Sequence, residues 1–384
     1  MSLDVTFPLQ PGAVLGMLGG GQLGRMFALA AAEMGYQVWV YDPNEVSLAG
    51  EVAYRHIQAA YDDKTALAEF GQACAVVTTE FENIPADTLR YLQSYCQVCP
   101  NPNAVHIAQN RIREKTFVND LGIPTSAFKA INSLQDIDAA TDLNFPCILK
   151  TAEFGYDGKG QAVVEDLAAA SNAFAEMGEV PCILEEKIQL ESEISVVLGR
   201  NQQGEISFFP VARNVHKDGI LHISSVPAEV SDELQTYACE LAQRIAENLD
   251  YVGIMAVEYF IDPEQRLLVN EIAPRVHNSG HYSQDACSIS QFEQQVRVLC
   301  GWVPADTRYH TPVAMVNILG DAWHQGELAA ESLYNNVNIK VHIYGKAGAK
   351  PGRKMGHFNV LAESVADAIK LGEAAYQQMM NPPA

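Results

Sequence analysis

Between residues 13 and about 105, short apolar runs alternate with longer stretches whose apolar residues recur at helical spacing. "AVLGML" gives way to "FALAAAEMG", "QVWVYD" follows, and "CAVVTTEF" precedes "PADTLRYLQSY" and then "CQVCPN". Strand–helix alternation of this kind predicts a parallel sheet covered by helices. Ligands of such sheets sit beyond the carboxyl ends of the strands, where Gly19 to Gln22 and Glu80 to Asn83 fall. "NPNAVHIAQNRIREKTFVNDLGIPT" reads as a cap, a helix and a Gly/Pro stop across a domain boundary. From "FPCILKTAEFGYDGKGQAVV" onward the texture turns to strands and hairpins. "GWVPADTRYHTPVAMVNILG" opens a last strand-rich piece, and "SVADAIKLGEAAYQQM" predicts a terminal amphipathic helix. The expected class is α/β, α+β overall, divided at 1–106, 107–185, 186–300 and 301–384.

A chain of 384 residues with 48% hydrophobic and 19% charged content has the make-up of a soluble multidomain protein. No apolar run approaches the ~18 residues of a membrane span. No cation precedes Arg25, so the N-terminus does not read as a secretory signal. The formal charge of −22 argues against nucleic acid or an anionic membrane as partner. An anionic ligand must therefore meet local cations or backbone N–H groups. Eight cysteines at irregular spacing among apolar neighbours suit a reducing cytoplasm. Cys96 and Cys99 spell C-x-x-C but have no zinc-spaced companion, and are expected as buried thiols.

In "GMLGGGQLGRM", Gly19, Gly21 and Gly24 fit G-x-G-x-x-G, and Asp42 closes the next apolar run. That is the form of a dinucleotide fingerprint, equally of a tight strand–helix turn holding another phosphate or none. "ILKTAEFGYDGKGQAVV" is a second glycine loop, without the Ser or Thr and the helix start of a Walker A loop. It predicts a hairpin that folds over a triphosphate, with Lys150 reaching phosphate as a point charge.

"VEYFIDPEQRLLVNEIAPR" carries the strongest physical signal. Two apolar-rich runs flank the turn "DPEQ"; with Glu264 and Gln265 at its tip, Val257 faces Ile272 and Ile261 faces Leu268. The same register sets Glu258 across from Glu271. Opposed like charges on a sheet are destabilising, so a proton, a cation or a metal must offset them. Magnesium, which takes one or two protein carboxylates and completes its shell with phosphates and water, is the economical choice. Arg275, His277, Asn278 and the Ser279-Gly280 turn follow at once as anion donors.

In this order the pieces resemble the ATP-grasp superfamily over nearly the whole chain. Within it, "GMLGGGQLGRM", "TTEFENIP", "KTAEFGYDGKGQ", "EEKI" and "NEIAPRVHNSGH" are similar to the N5-carboxyaminoimidazole ribonucleotide synthetases. The resemblance implies a Rossmann-like first domain, a lid subdomain, a large antiparallel-sheet ATP-grasp domain and a small C-terminal piece. It implies ATP- and bicarbonate-dependent carboxylation of 5-aminoimidazole ribonucleotide through carboxyphosphate, with ATP and Mg2+ as cofactors, in a cytoplasmic homodimer.

For ATP, the matching positions are Arg111 and Lys150 on phosphates, Gly155, Tyr156, Asp157, Gly158, Lys159, Gly160 and Gln161 as lid, and Glu185, Glu186, Lys187 and Ile188 as the adenine hinge. Glu193 matches a ribose acceptor and His216 a pocket position; Glu258 and Glu271 match the metal ligands, with Asn270 beside them. For the ribonucleotide they are Gln22, Leu23, Glu80 or Glu82, Tyr156, Asp157, Arg275, His277, Asn278, Lys346 and Arg353. Glu80 and Glu82, two apart, would face one side if on a strand. Lys150 and Arg275 would stabilise the transferring phosphoryl, His277 stands beside them, and Asp157 would accept the amine proton. Three rivals remain: a formate-using glycinamide ribonucleotide transformylase of the same layout, an NAD-dependent dehydrogenase, and a non-catalytic nucleotide-binding module.

Overall fold

The computed structural model describes residues 6–153, 155, 160–324 and 326–381. The expected lid residues Tyr156, Asp157, Gly158 and Lys159 lie outside the described residues.

The first unit has strands β1 (Val14–Leu18), β2 (Gln37–Tyr41), β3 (Arg55–Ile57), β4 (Val76–Thr79) and β5 (Gln97–Val98) with helices α1 (Gln22–Glu33), α2 (Lys64–Ala73) and α3 (Ala86–Leu92). The strands run parallel in the order β3-β2-β1-β4-β5. The apolar runs are strands because both faces are buried: β4 is covered throughout. Cys96 and Cys99 flank β5 as free, buried thiols.

The single helix expected across the boundary is two, α4 (Pro102–Ala108) and α5 (Arg111–Asp120). Asn110 breaks them: its side chain accepts from the N–H groups of Ile112 and Arg113 and so caps a new helix. The Arg111 N–H leaves the helical path and donates to Ala152 O at 2.9 Å.

A four-stranded antiparallel sheet follows, β6 (Phe128–Ile131), β7 (Cys147–Thr151), β8 (Gln161–Val164) and β9 (Cys182–Glu186), in the order β6-β9-β7-β8. Helices α6 (Leu134–Asp138) and α7 (Leu167–Glu176) close its apolar face.

The large sheet collects β10 (Ser192–Arg200), β11 (Ile206–Phe208), β12 (Ala212–Lys217), β13 (Ile220–Val226), β14 (Gly253–Ile261), β15 (Leu267–Ala273) and β16 (Val313–Leu319). Beyond the small pair β17 (Trp323–His324) and β18 (Glu327–Leu328), it adds β19 (Ile339–Ile343) and β20 (Lys354–Leu361). Its order is β15-β14-β10-β12-β13-β16-β20-β19, with β11 on β10. The strand-rich C-terminal segment therefore extends the carboxylate sheet instead of standing apart. Helix α8 (Asp232–Asn248) packs on one face through Leu241, Ala242 and Ile245. Helices α9 (Ser283–Ala286) and α10 (Gln291–Leu299) follow the HNSGH segment, α10 wedging between this sheet and α1. Helices α11 (Glu331–Tyr334) and α12 (Val365–Met380) complete the C-terminal end.

The β14–β15 register differs from the expected one in a way that cancels. The turn has three residues, Pro263 to Gln265, with Gln265 at φ 61° and the Asp262 N–H donating to Arg266 O at 3.2 Å. That pairs Ile261 with Leu267, not with Leu268. A bulge at Asn270 then slips the ladder by one, so Glu258 does face Glu271 and Val257 does face Ile272.

Candidate active site

Opposite residues share a face, so Glu193, Ser195, Glu258 and Glu271 stand on one side of the large sheet, away from α8. The intervening Ile194, Val196, Val257 and Ile272 feed the core beneath that helix. Burial first, and then the negative charge of Glu271, push the Glu258 carboxyl up to about 7. Neighbouring groups only partly answer this pair. Arg111 lies 3.5 Å from Glu271, and His277 Nε2 lies 3.5 Å from Glu258. Burial and Arg275 hold the His277 ring well below the usual histidine range, so it is neutral. Glu193 forms an ion pair with His216 at 2.6 Å, which raises the histidine against the effect of burial.

A cleft of about 700 Å³ opens beside this face. It brings together twelve expected residues from distant parts of the chain: Gln22, Leu23, Glu80, Glu82, Arg111, Gly155, Glu271, Arg275, His277, Asn278, Lys346 and Arg353. Its described lining has six Lys or Arg (Arg111, Arg275, Lys346, Lys350, Arg353, Lys354) against five Glu (80, 82, 114, 153, 271). In a chain with 25 basic and 47 acidic residues, that reverses the local balance in favour of an anionic ligand.

Lys150, Glu185, Glu193, His216, Glu258 and Asn270 do not line this cleft and stand behind or beside it. Lys150 Nζ meets Glu185 Oε2 at 2.9 Å, and Gln161 pairs with Lys150 across the hairpin closed by Gly160. Around the hinge, the Glu186 and Lys187 N–H groups donate to Ala127 O and Pro146 O. The Glu186 side chain accepts from Asn144. Those two donors are thus committed to the lid sheet, leaving the hinge reading to its carbonyls and Ile188.

At the first glycine loop the dinucleotide reading fails on geometry. The Gly20 N–H donates to Asp42 Oδ2 at 2.8 Å, and those of Gly21 and Gly24 donate to the two oxygens of Glu80. A carboxylate therefore occupies the donors a pyrophosphate would need, and Asp42 is turned inward from any ribose. A Cβ on Gly21 would come within 2.6 Å of Glu80 Oε1, which is why glycine stands there.

Strand β4 ends at Thr79, so the alternation expected for Glu80 and Glu82 does not apply. Glu80 turns to the glycine loop. Glu82 receives both Nε and Nη2 of Arg275, the latter at 3.2 Å, and holds that guanidinium over the cleft. The pairing draws the Glu82 carboxyl below its usual range despite burial.

Three further contacts come from side chains that sequence reasoning missed. Glu114 accepts from the Ile272 N–H, and burial with Glu271 nearby pushes it up to about 8. Lys115 lies 3.4 Å from Glu185. His281 accepts from Gln291, whose amide also brackets the His277 backbone. The available signal was positional: Arg111, Glu114, Lys115 and Val118 fall at i, i+3, i+4 and i+7, so charged residues share a helix stripe with a core valine.

Family comparisons agree with this layout. Residues 13–109 match the ribonucleotide synthetase preATP-grasp domain, 116–292 the ATP-grasp domain, and 313–371 the phosphoribosylaminoimidazole carboxylase C-terminal domain. The N5-carboxyaminoimidazole ribonucleotide synthase of Brucella melitensis is 42% identical over 352 residues, 91% of this chain and 96% of the relative. The chain belongs to the N5-carboxyaminoimidazole ribonucleotide synthases. Members of this synthase family are ATP-dependent ligases. The Bacillus subtilis synthase is 41% identical over 356 residues, covering 92% and 93% of the two chains. Among solved structures, the Staphylococcus aureus N5-carboxyaminoimidazole synthetase complexed with ADP superposes with a TM-score of 0.91 at 36% identity, over 97% of this chain and 99% of that one. The Aspergillus clavatus synthase, in complex with ADP and 5-aminoimidazole ribonucleotide, gives 0.89 at 28% identity over the same shares.

Proposed function

We propose that the cleft carboxylates the exocyclic amine of 5-aminoimidazole ribonucleotide, using ATP and bicarbonate and releasing ADP and phosphate, as a step of purine synthesis. A bicarbonate oxygen attacks the γ-phosphorus of ATP and ADP leaves, which turns a poor electrophile into carboxyphosphate. The amine nitrogen then bonds to the carboxyl carbon, the bond to phosphate breaks and phosphate leaves, and the nitrogen's proton passes to Asp157, the acceptor the family resemblance implies.

The chain's own groups suit these steps. Lys150, buried against Glu185, and Arg111, in the cleft lining, are the cations this reading gives to the polyphosphate. Arg275, fixed by Glu82, offers its remaining N–H to bicarbonate and to the transferring phosphoryl. Neutral His277 can donate to or accept from an anion without adding charge. Lys346 and Arg353, which also line the cleft, would clamp the ribonucleotide phosphate. The family resemblance gives Gly155 to Gln161 the part of a lid that would keep water from carboxyphosphate.

Glu258 and Glu271 fit a magnesium ion: they are opposed across the hairpin, half-buried, and only partly offset by Arg111 and His277. When bound there, magnesium supplies charge that draws the β- and γ-phosphates to this face. The enzyme works in a reducing cytoplasm, as its free cysteines suggest, and as a homodimer in line with the family resemblance. Among the described residues no helix is long and apolar enough to cross a membrane.

The opposed carboxylates, Glu271 in the lining of the basic cleft and Glu258 facing it across the hairpin, carry this reading. It is tested by ADP release with and without 5-aminoimidazole ribonucleotide at varied bicarbonate. Release that needs both supports it; release driven by formate and glycinamide ribonucleotide would favour the transformylase.

A further inference from the structure

Lys115 has no part in the mechanism above, yet it sits one contact away from it. The residue is 3% exposed, and its ammonium donates to Ser126 Oγ at 2.9 Å and lies 3.4 Å from Glu185 Oε2. The same carboxylate oxygen receives Lys150 at 2.9 Å and the Ser126 hydroxyl at 3.3 Å. One buried carboxylate therefore faces two lysines. Its other oxygen, Oε1, is buried and has no hydrogen-bond partner among the described residues.

A one-to-one ion pair would satisfy Glu185 alone, so the second lysine calls for a reason. If Lys150 serves a triphosphate, it must give part of its charge to phosphate. With Lys150 as its only lysine, Glu185 would then be left as a buried carboxylate short of a counter-charge, a strongly unfavourable arrangement. Lys115 removes that penalty. It stays with Glu185 while Lys150 turns to the ligand, and the cluster of two cations and one anion keeps a surplus positive charge facing the nucleotide.

We propose that Lys115 is a positioning residue for ATP: by holding Glu185 neutralised, it frees Lys150 to bind phosphate. The proposal rests on the reading of Lys150 as a phosphate ligand. It separates two roles on helix α5, because Glu114 and Arg111 serve the Glu271 strand while Lys115 serves the lid sheet.

The test is steady-state ADP release, with ATP and 5-aminoimidazole ribonucleotide varied in turn. Lys115→Met should raise KM for ATP by about tenfold or more, while KM for the ribonucleotide stays within about twofold. A thermal melt shows whether the variant folds. The double variant Lys115→Met/Glu185→Gln removes one charge of each sign, restores the surplus and leaves no buried carboxylate unpaired. Its KM for ATP should return to within about threefold of the wild type. A wild-type KM for ATP in Lys115→Met, or a double variant no better than Lys115→Met, would overturn the proposal. Wild-type enzyme without ribonucleotide-dependent ADP release would instead overturn the functional reading beneath it.

Discussion

At the first glycine loop, three backbone N–H groups converge on a site shaped for phosphate, and each is already answered by a carboxylate of the same chain, Asp42 or Glu80. At the β14–β15 hairpin, Glu258 and Glu271 converge with like charge, with Arg111 3.5 Å from Glu271 and His277 3.5 Å from Glu258. In the first region these three donors are closed to a pyrophosphate, so the glycines serve the close approach of Glu80 and not a dinucleotide, while Gln22 and Leu23 beside them line the cleft. The second is left open, and an open site of like charges is costly unless something from outside fills it. A motif's donors identify a ligand site only when the fold has not already used them.

The comparison can be broken from either side. Glu271→Ala should cost the most: ADP release falls at least about 100-fold, more than the loss of an outer-shell partner usually costs a metal site. The melting curve stays cooperative. Near-normal turnover in that variant would remove the hairpin from the chemistry.

Glu80→Ala attacks the closed region. Leaving the Gly21 and Gly24 N–H groups unpaired should destabilise the protein by about 2–4 kcal/mol, read by denaturant melts. Unchanged stability would mean that the loop's donors are satisfied elsewhere and that its closure has been misread.

Much of this arrangement is legible in the chain. Strand–helix alternation gives the first sheet because its strands are buried on both faces, and the turn at Pro263 announces the hairpin. The facing of Glu258 and Glu271 emerges from sequence through two offsetting displacements, a longer turn and a bulge at Asn270. Neither is written locally, since the ladder beyond the bulge is pinned by Glu114, 158 positions from Ile272. The different fates of Glu80 and Glu82 follow from where β4 stops. Lys115 was hidden because a lysine on a helix ordinarily reads as solvated, and only its stripe-mate Val118 hints at burial.

The most direct test of the open-site claim is the stability of Glu258→Gln without divalent ions. The folded-state pKa of Glu258 is raised to about 7, above that of the unfolded chain. Its ionisation therefore costs nothing at low pH and destabilises the fold progressively as pH rises through about 7. At pH 8 with a chelator, Glu258→Gln should be more stable than wild type by roughly 1–3 kcal/mol, with the gain vanishing near pH 4. Magnesium with ADP should stabilise the wild type and not the variant. A variant less stable than wild type at pH 8, or stabilised equally by magnesium and ADP, would contradict the account.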